Sequence, residues 1–301
     1  MLLAGAACTG ESIGPTPPAE PTGTILAFHP IGRLYLIDAA DLMTSEFSRS
    51  PAQLLWDGSS LMPSATLVIG GAYAATREAR SIEPATGITR TLLPLGDEEG
   101  VLSAKASPDG NRIALSVFGR GGGNADQLLL LDVATRQVSV LWTRPPNTSE
   151  EISLVSLHWL PDQSGLVALA VDGAGPPDFG TVRIARFDFA SGVLSFLPQS
   201  GTLTRTPTLD ISRDGLTLGY SFEDGRIRFI RLDGSPAPGL PDSIHGIFPT
   251  FSPDGRLLAY SRIDNNFPAN EEGIWIHRFS DGAEWKLLPP GDPVTWVLDW
   301  E

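Results

Sequence analysis

Phe251-Ser252-Pro253-Asp254-Gly255-Arg256-Leu257-Leu258-Ala259-Tyr260-Ser261 decides the fold. A tight Asp-Gly turn stands between two apolar runs, and glycine accepts the positive φ of such a turn without steric cost, so the segment reads as a β-hairpin. The same grammar occurs in full at Ser107-Pro108-Asp109-Gly110, which leads into Ile113-Ala114-Leu115-Ser116. It occurs in part at Leu160-Pro161-Asp162-Gln163-Ser164-Gly165 and at Ser212-Arg213-Asp214-Gly215. Such self-similarity marks a repeat architecture.

Each unit continues alike. A third strand follows (Leu128–Asp132, Val182–Asp188, Ile227–Leu232, Ile274–Phe279), then a small turn and a fourth strand, as in Val138–Trp142, Val193–Leu197 and Trp285–Leu288. Four antiparallel strands per unit make a propeller blade. Two further units lack the Asp-Gly turn. One has strands near Thr66–Ile69, Ala72–Ala75, Arg80–Glu83 and Ile88–Leu93; the other has Ile25–Phe28, Arg33–Asp38 and Gln53–Trp56 but no innermost strand. The tail Val294–Trp300 resembles the innermost strand Leu154–Trp159. Pairing it with the N-terminal strands completes the ring and leaves no open edge at the seam. Residues 24–301 then hold six blades of about 46 residues, within the range of propeller repeats. The expectation is an all-β, six-bladed β-propeller with four-stranded antiparallel blades.

The Ser-Pro-Asp-Gly turn followed by Ile-Ala-Leu-Ser or Leu-Ala-Tyr-Ser resembles the Pro-Asp, WD40-like repeats of TolB and of the propellers of prolyl oligopeptidase relatives. The likeness runs through residues 24–301. It implies a cell-envelope protein that engages partner proteins through its propeller channel, often by a peptide segment. The chain has no length for the hydrolase domain of the oligopeptidase relatives, nor for the separate amino-terminal domain of TolB.

Acidic residues outnumber basic ones 35 to 21, a net charge of −14, and no Lys/Arg cluster occurs. That argues against nucleic acid and against anionic lipid as partners. The single cysteine, Cys8, excludes an intrachain disulfide and a cysteine-built zinc site. It ends the short run Met-Leu-Leu-Ala-Gly-Ala-Ala, which resembles a lipoprotein lipobox, although Gly5 stands where leucine is usual and no basic residue precedes the run. The reading is a truncated signal-like segment (1–8), whose departures a start upstream of Met1 would repair, and a Gly/Pro/Thr-rich tether (9–23). It implies an extracytoplasmic, monomeric protein reaching a bacterial membrane only through lipid on Cys8.

No residue set points to a reaction. Gly10-Glu11-Ser12-Ile13-Gly14 matches a nucleophile elbow, but it sits in the tether without the strained strand-to-helix turn that the elbow requires. Gly119–Asn124 is glycine-rich but lacks the Lys-Ser/Thr ending of a phosphate loop. His29, His158, His245 and His277 show no metal-ligand spacing. No cofactor is expected. Asp264, Asn265, Asn266, Asn270, Glu271 and Glu272 are the one place where oxygen donors would suit Ca²⁺, though their spacing matches no calcium loop.

In a propeller the Asp-Gly turns open on one face, and the loops between second and third strands and between blades open on the other. Here the second set is long and acidic: Glu98, Glu99, Asp126, Glu150, Glu151, Asp178, Asp264, Glu271 and Glu272. Long loops are where binding residues concentrate. That face is therefore expected to take a protein, peptide or cationic ligand. The alternative is a channel-centred propeller enzyme, a lactonase or a glycan-active hydrolase or lyase, with a Ca²⁺-dependent site. Its candidates are His158, Asp210 and Asp299, the polar exceptions on otherwise apolar or hydroxylic innermost strands.

Overall fold

The computed structural model describes residues 21–29, 33–41, 44–49, 59–62, 67–69, 78–83, 86, 88–96, 99–119, 126–145, 152–172, 182–198, 208–221, 224–262, 272–287 and 296–301. Among them there is no helix. The chain begins with β1 (Thr24–His29), β2 (Arg33–Asp38) and β3 (Thr44–Arg49). The second blade holds β4 (Ser59–Leu61), β5 (Leu67–Ile69), β6 (Glu78–Glu83) and β7 (Ile88–Pro94). The third holds β8 (Glu99–Ala106), β9 (Arg112–Gly119), β10 (Gln127–Asp132) and β11 (Val138–Thr143). Next come β12 (Ile152–Trp159), β13 (Gly165–Asp172), β14 (Val182–Asp188) and β15 (Val193–Phe196). The fifth blade holds β16 (Leu209–Ile211), β17 (Thr217–Ser221), β18 (Arg226–Arg231) and β19 (Ile244–His245). The sixth holds β20 (Ile247–Phe251), β21 (Leu257–Arg262), β22 (Gly273–Arg278) and β23 (Glu284–Lys286), and β24 (Trp296–Trp300) follows.

Five of the sheets are meanders of consecutive strands, and the remaining one has the order β24-β1-β2-β3. The innermost strands β24, β4, β8, β12, β16 and β20 pack each against the next, and β20 returns to β24. The ring is closed.

Closure is the expected one. β24 runs antiparallel to β1 with Ile25 opposite Trp300 and Phe28 opposite Trp296. The Trp300 indole donates to the Thr22 carbonyl at 2.9 Å, and Glu301 N–H donates to Thr24 O at 3.0 Å. Two strand assignments are corrected. The outer strand of the first blade is Thr44–Arg49; Gln53–Trp56, the more apolar stretch, lies outside the described residues. The innermost strand of the second blade is Ser59–Leu61, which makes Leu67–Ile69 its second strand; Ala72–Ala75 also lies outside the described residues. Both stretches lack the Asp-Gly turn that fixes strand ends elsewhere.

The signature turn is held by its own side chains. The Ser107 hydroxyl donates to Asp109 Oδ1 (2.6 Å) and accepts Arg112 N–H (3.0 Å), while Asp109 Oδ1 also accepts Asn111 N–H (3.0 Å). The same three bonds recur around Ser212 and Asp214 and around Ser252 and Asp254. Gly110, Gly215 and Gly255 sit at φ 72°, 71° and 70°. In the fourth example Gln163 takes this left-handed conformation at φ 58°, at a cost of about 1 kcal/mol for a side chain with a Cβ. Its retained side chain has a use: Oε1 accepts from Arg112 (2.6 Å), which lies 4.9 Å from the Trp159 ring centroid.

The apolar core lies between blades. Ile25, Ala27 and Ile37 of the first blade interdigitate with Leu257, Ala259 and Ile274 of the sixth. Equivalent layers join the second to the third, the third to the fourth, the fourth to the fifth and the fifth to the sixth. Nearer the axis the blades are joined by hydroxyl groups. Register shifts in β12 and β20 place Ser156 at φ 50° and Phe248 at φ 55°. Each bulge turns an amide out of its own ladder. The preceding blade takes these amides: Leu157 N–H donates to Ser103 Oγ (3.1 Å), and Phe248 N–H to Thr208 Oγ1 (3.1 Å). Leu209 N–H to Ser156 Oγ (3.2 Å) and Val297 N–H to Ser261 Oγ (3.2 Å) extend the series.

Two glycines separate backbone strain from steric exclusion. A Cβ on Gly255 meets nothing within 4 Å, so Gly255→Ala should cost only the left-handed backbone term, about 1–2 kcal/mol. A Cβ on Gly165 would stand 2.2 Å from the Phe187 carbonyl oxygen, so Gly165→Ala should cost about 3 kcal/mol by urea denaturation. Acid should act through the turns. The Ser107 hydroxyl and the Asn111 amide hold Asp109 down to about 2 from 3.8. A depressed carboxylate stabilises above its unfolded value and loses that contribution as pH falls through its folded one. The urea midpoint should therefore drop between about pH 4 and about pH 2, and by less in Ser107→Ala.

Candidate functional site

The turns fix where each innermost strand ends, so residues at one distance from the turn reach one level of the channel. Two positions before Ser107, Leu160, Ser212, Ser252 and Glu301 stand Lys105, His158, Asp210, Thr250 and Asp299, on five different innermost strands. Two positions deeper stand Ser103, Ser156 and Thr208, three of the inter-blade hydroxyls. The channel thus carries a hydroxyl level that joins blades and an ionic level above it.

Lys105, His158, Asp210 and Asp299 line a cavity of about 290 Å³. Pro108, Pro161, Arg213 and Pro253, the second residues of four signature turns, form its rim, and Trp159, Trp300 and Phe251 border it from the inter-blade cores in which they are buried. The cavity therefore opens on the face of the Asp-Gly turns.

The charges on this level are paired across blades. Lys105 Nζ lies 2.7 Å from Asp299 Oδ1, reaching past the second blade to the closing strand. The Lys105 carbonyl accepts the Trp159 indole N–H at 2.9 Å. His158 Nδ1 lies 2.9 Å from Asp210 Oδ1, while Asp210 Oδ2 accepts Phe251 N–H at 2.7 Å. One carboxylate thus orients an imidazole and pins the next blade. Arg213 reaches over the sixth blade to Glu301 at 3.4 Å, a longer and more exposed contact.

Burial alone would lower the Lys105 pKa, but the negative charges of Asp299, Asp210 and Glu301 outweigh it and the value is raised. The ammonium therefore stays charged at neutral pH. Glu301 is raised as well, chiefly by burial and next by repulsion from Asp299, against the attraction of Lys105 and Arg213. Below this level lies a void of about 20 Å³ bordered by Ser156, Thr208, Phe248 and Val297. Lys105 and His158 border both spaces, so these two side chains, held by Asp299 and Asp210, form the floor of the upper cavity.

The structure brings His158, Asp210 and Asp299 together in this cavity. Lys105, Arg213 and Glu301 complete the set and were missed by reading along the chain. The signal for Lys105 is present in the repeat, as the residue two before a signature serine. The long-loop acids fare differently. Glu98, Glu150, Glu151, Asp178, Asp264 and Glu271 lie outside the described residues, as does Cys8. Asp126 is not a surface acid: it is buried, accepts the Ser153 hydroxyl at 2.5 Å and Gly119 N–H at 3.4 Å, and joins two blades. Glu99 accepts Gly96 N–H at 2.9 Å, and Glu272 is exposed. Of the oxygen donors considered for Ca²⁺, Glu272 alone is described; no three His, Cys, Asp or Glu side chains among the described residues converge as a metal set.

No protein-family model matches the chain, and no curated protein matches it in sequence. Its fold is that of known propellers. TolB from Acinetobacter baumannii aligns with a TM-score of 0.62 at 16% identity, over 92% of this chain and 65% of that one. The chain thus spans just under two thirds of that TolB. A chain in the nidogen/laminin complex aligns with a TM-score of 0.65 at 13% identity, over 92% and 97%. An oligogalacturonate lyase in complex with manganese aligns with a TM-score of 0.57 at 14% identity, over 86% and 71%. The protein is a TolB-like β-propeller in fold.

Asp299→Asn leaves a buried ammonium without its nearest counter-charge and should destabilise by about 3–5 kcal/mol in urea denaturation. The double variant Lys105→Met/Asp299→Asn should recover most of that loss, because no isolated charge is left buried. Equal loss in the single and double variants would show that the bridge is not what holds the floor.

Proposed function

We propose that this protein is a non-catalytic recognition propeller of the cell envelope, held at a membrane by lipid on Cys8 and a tether through residues 9–23. It engages a peptide segment of a partner protein at the channel mouth. The observation that carries this reading is a preformed cavity on the propeller axis whose charged side chains are paired with one another across blades. A general acid and base must face the substrate in complementary protonation states. Here Asp299 serves Lys105, and Asp210 serves both His158 and the next blade's backbone. At about 290 Å³ the cavity is just under the roughly 300–1,000 Å³ of drug-sized ligand sites, a volume suited to one or two residues of a partner. The nidogen/laminin complex gives a similar fold engaged with a protein.

One observation favours a second reading. A carboxylate orienting an imidazole is how a general base is built, and a similar fold serves the oligogalacturonate lyase. His158 and Asp210 would then act on a glycan or lactone.

Photocrosslinking in intact cells separates the readings and the faces. A benzoylphenylalanine at position 253 is expected to capture a discrete protein, whereas one at 99 or 272, on the acidic long-loop face, is not. Capture only from 99 or 272 would move the partner site to the long loops. Turnover of lactones or uronate oligosaccharides by purified protein, lost in His158→Ala, would replace recognition with catalysis.

A further inference from the structure

We propose that the channel mouth reads a basic side chain of the partner, a lysine ammonium or an arginine guanidinium, with Glu301 receiving the charge and the rim prolines Pro108, Pro161 and Pro253 packing the stem. The inference rests on the recognition reading above and specifies its ligand.

Three carboxylates (Asp210, Asp299, Glu301) share this level with two fixed cations (Lys105, Arg213). The deficit of positive charge is not spread evenly. Asp210 has His158 and the Phe251 amide, and Asp299 has Lys105 at 2.7 Å. Glu301 has the 3.4 Å contact to Arg213, whose side chain is half exposed. The raised pKa of Glu301 points the same way: this carboxylate is short of compensation in a half-buried setting. An incoming cation would supply it, and charge-assisted hydrogen bonds to carboxylates are the strong kind. An incoming anion would meet three carboxylates, while Lys105 lies in the floor already committed to Asp299. The proline rim suits a long aliphatic stem.

The test uses the full chain with ¹⁵N-labelled tryptophan, because Trp159 and Trp300 border the mouth, with the Trp159 indole bonded to the Lys105 carbonyl, and report on it by NMR. The probes are N-acetyl methylamides of lysine, arginine, norleucine and glutamate. The lysine and arginine probes should shift both indoles saturably, and norleucine, with a similar stem and no charge, should not. Glu301→Gln should weaken lysine binding about 10-fold, the loss of one charged hydrogen bond, and its melting temperature checks the fold. Asp299 is left intact because its removal strands Lys105. Equal binding of norleucine, or glutamate binding that Glu301→Gln strengthens, overturns the cation assignment and leaves the mouth as a recognition site. So does silence of all four probes while crosslinks form at position 253. Silence of the probes together with no crosslink at 253 overturns both readings.

Discussion

A buried backbone amide that leaves its own ladder must find an acceptor, and in this propeller the preceding blade supplies it. The four bonds from Leu157, Leu209, Phe248 and Val297 to Ser103, Ser156, Thr208 and Ser261 join successive blades near the axis. Apolar packing between blades is larger in area but does not specify depth or angle; a hydroxyl–amide bond does both. An unsatisfied buried amide costs about 1–3 kcal/mol, so each junction selects one register of blade against blade. That register brings Lys105, His158, Asp210 and Asp299 to a common level.

Ring closure and the candidate site are parts of one arrangement. β24 completes the first blade; Asp299 within it and Glu301 just after it reach Lys105 on one side and Arg213 on the other. Lys105 tolerates its burial because Asp299, Asp210 and Glu301 hold it charged. A segment bound at the mouth would press on the same strand that seals the ring, so occupancy and closure share their contacts.

The described cavity and the acids that composition singles out do not coincide. Long acidic loops promise a ligand face by composition, yet the cavity built from described residues opens among the short signature turns. Of the acids on the long-loop side, Asp126 serves the interior. Similar folds serve recognition and lyase chemistry alike, and the likeness to them settles architecture alone. The distinction has to come from the side chains at the mouth and how they pair.

The sequence by itself determined the hairpins and the closure. Ser107, Asp109 and Gly110 act on neighbours within five residues, so their turn is legible wherever the motif recurs, and the tail was legible as a copy of Leu154–Trp159. The inner hydroxyls were visible as residues but not as inter-blade acceptors. Thr44–Arg49 and Ser59–Leu61 escaped reading because no turn marks their ends and more apolar stretches lie nearby. Only the tertiary structure decided the site. Lys105 and Asp299 lie far apart in the chain, and whether a lysine is a solvated surface charge or the floor of a cavity depends on which carboxylate the closed ring sets 2.7 Å away.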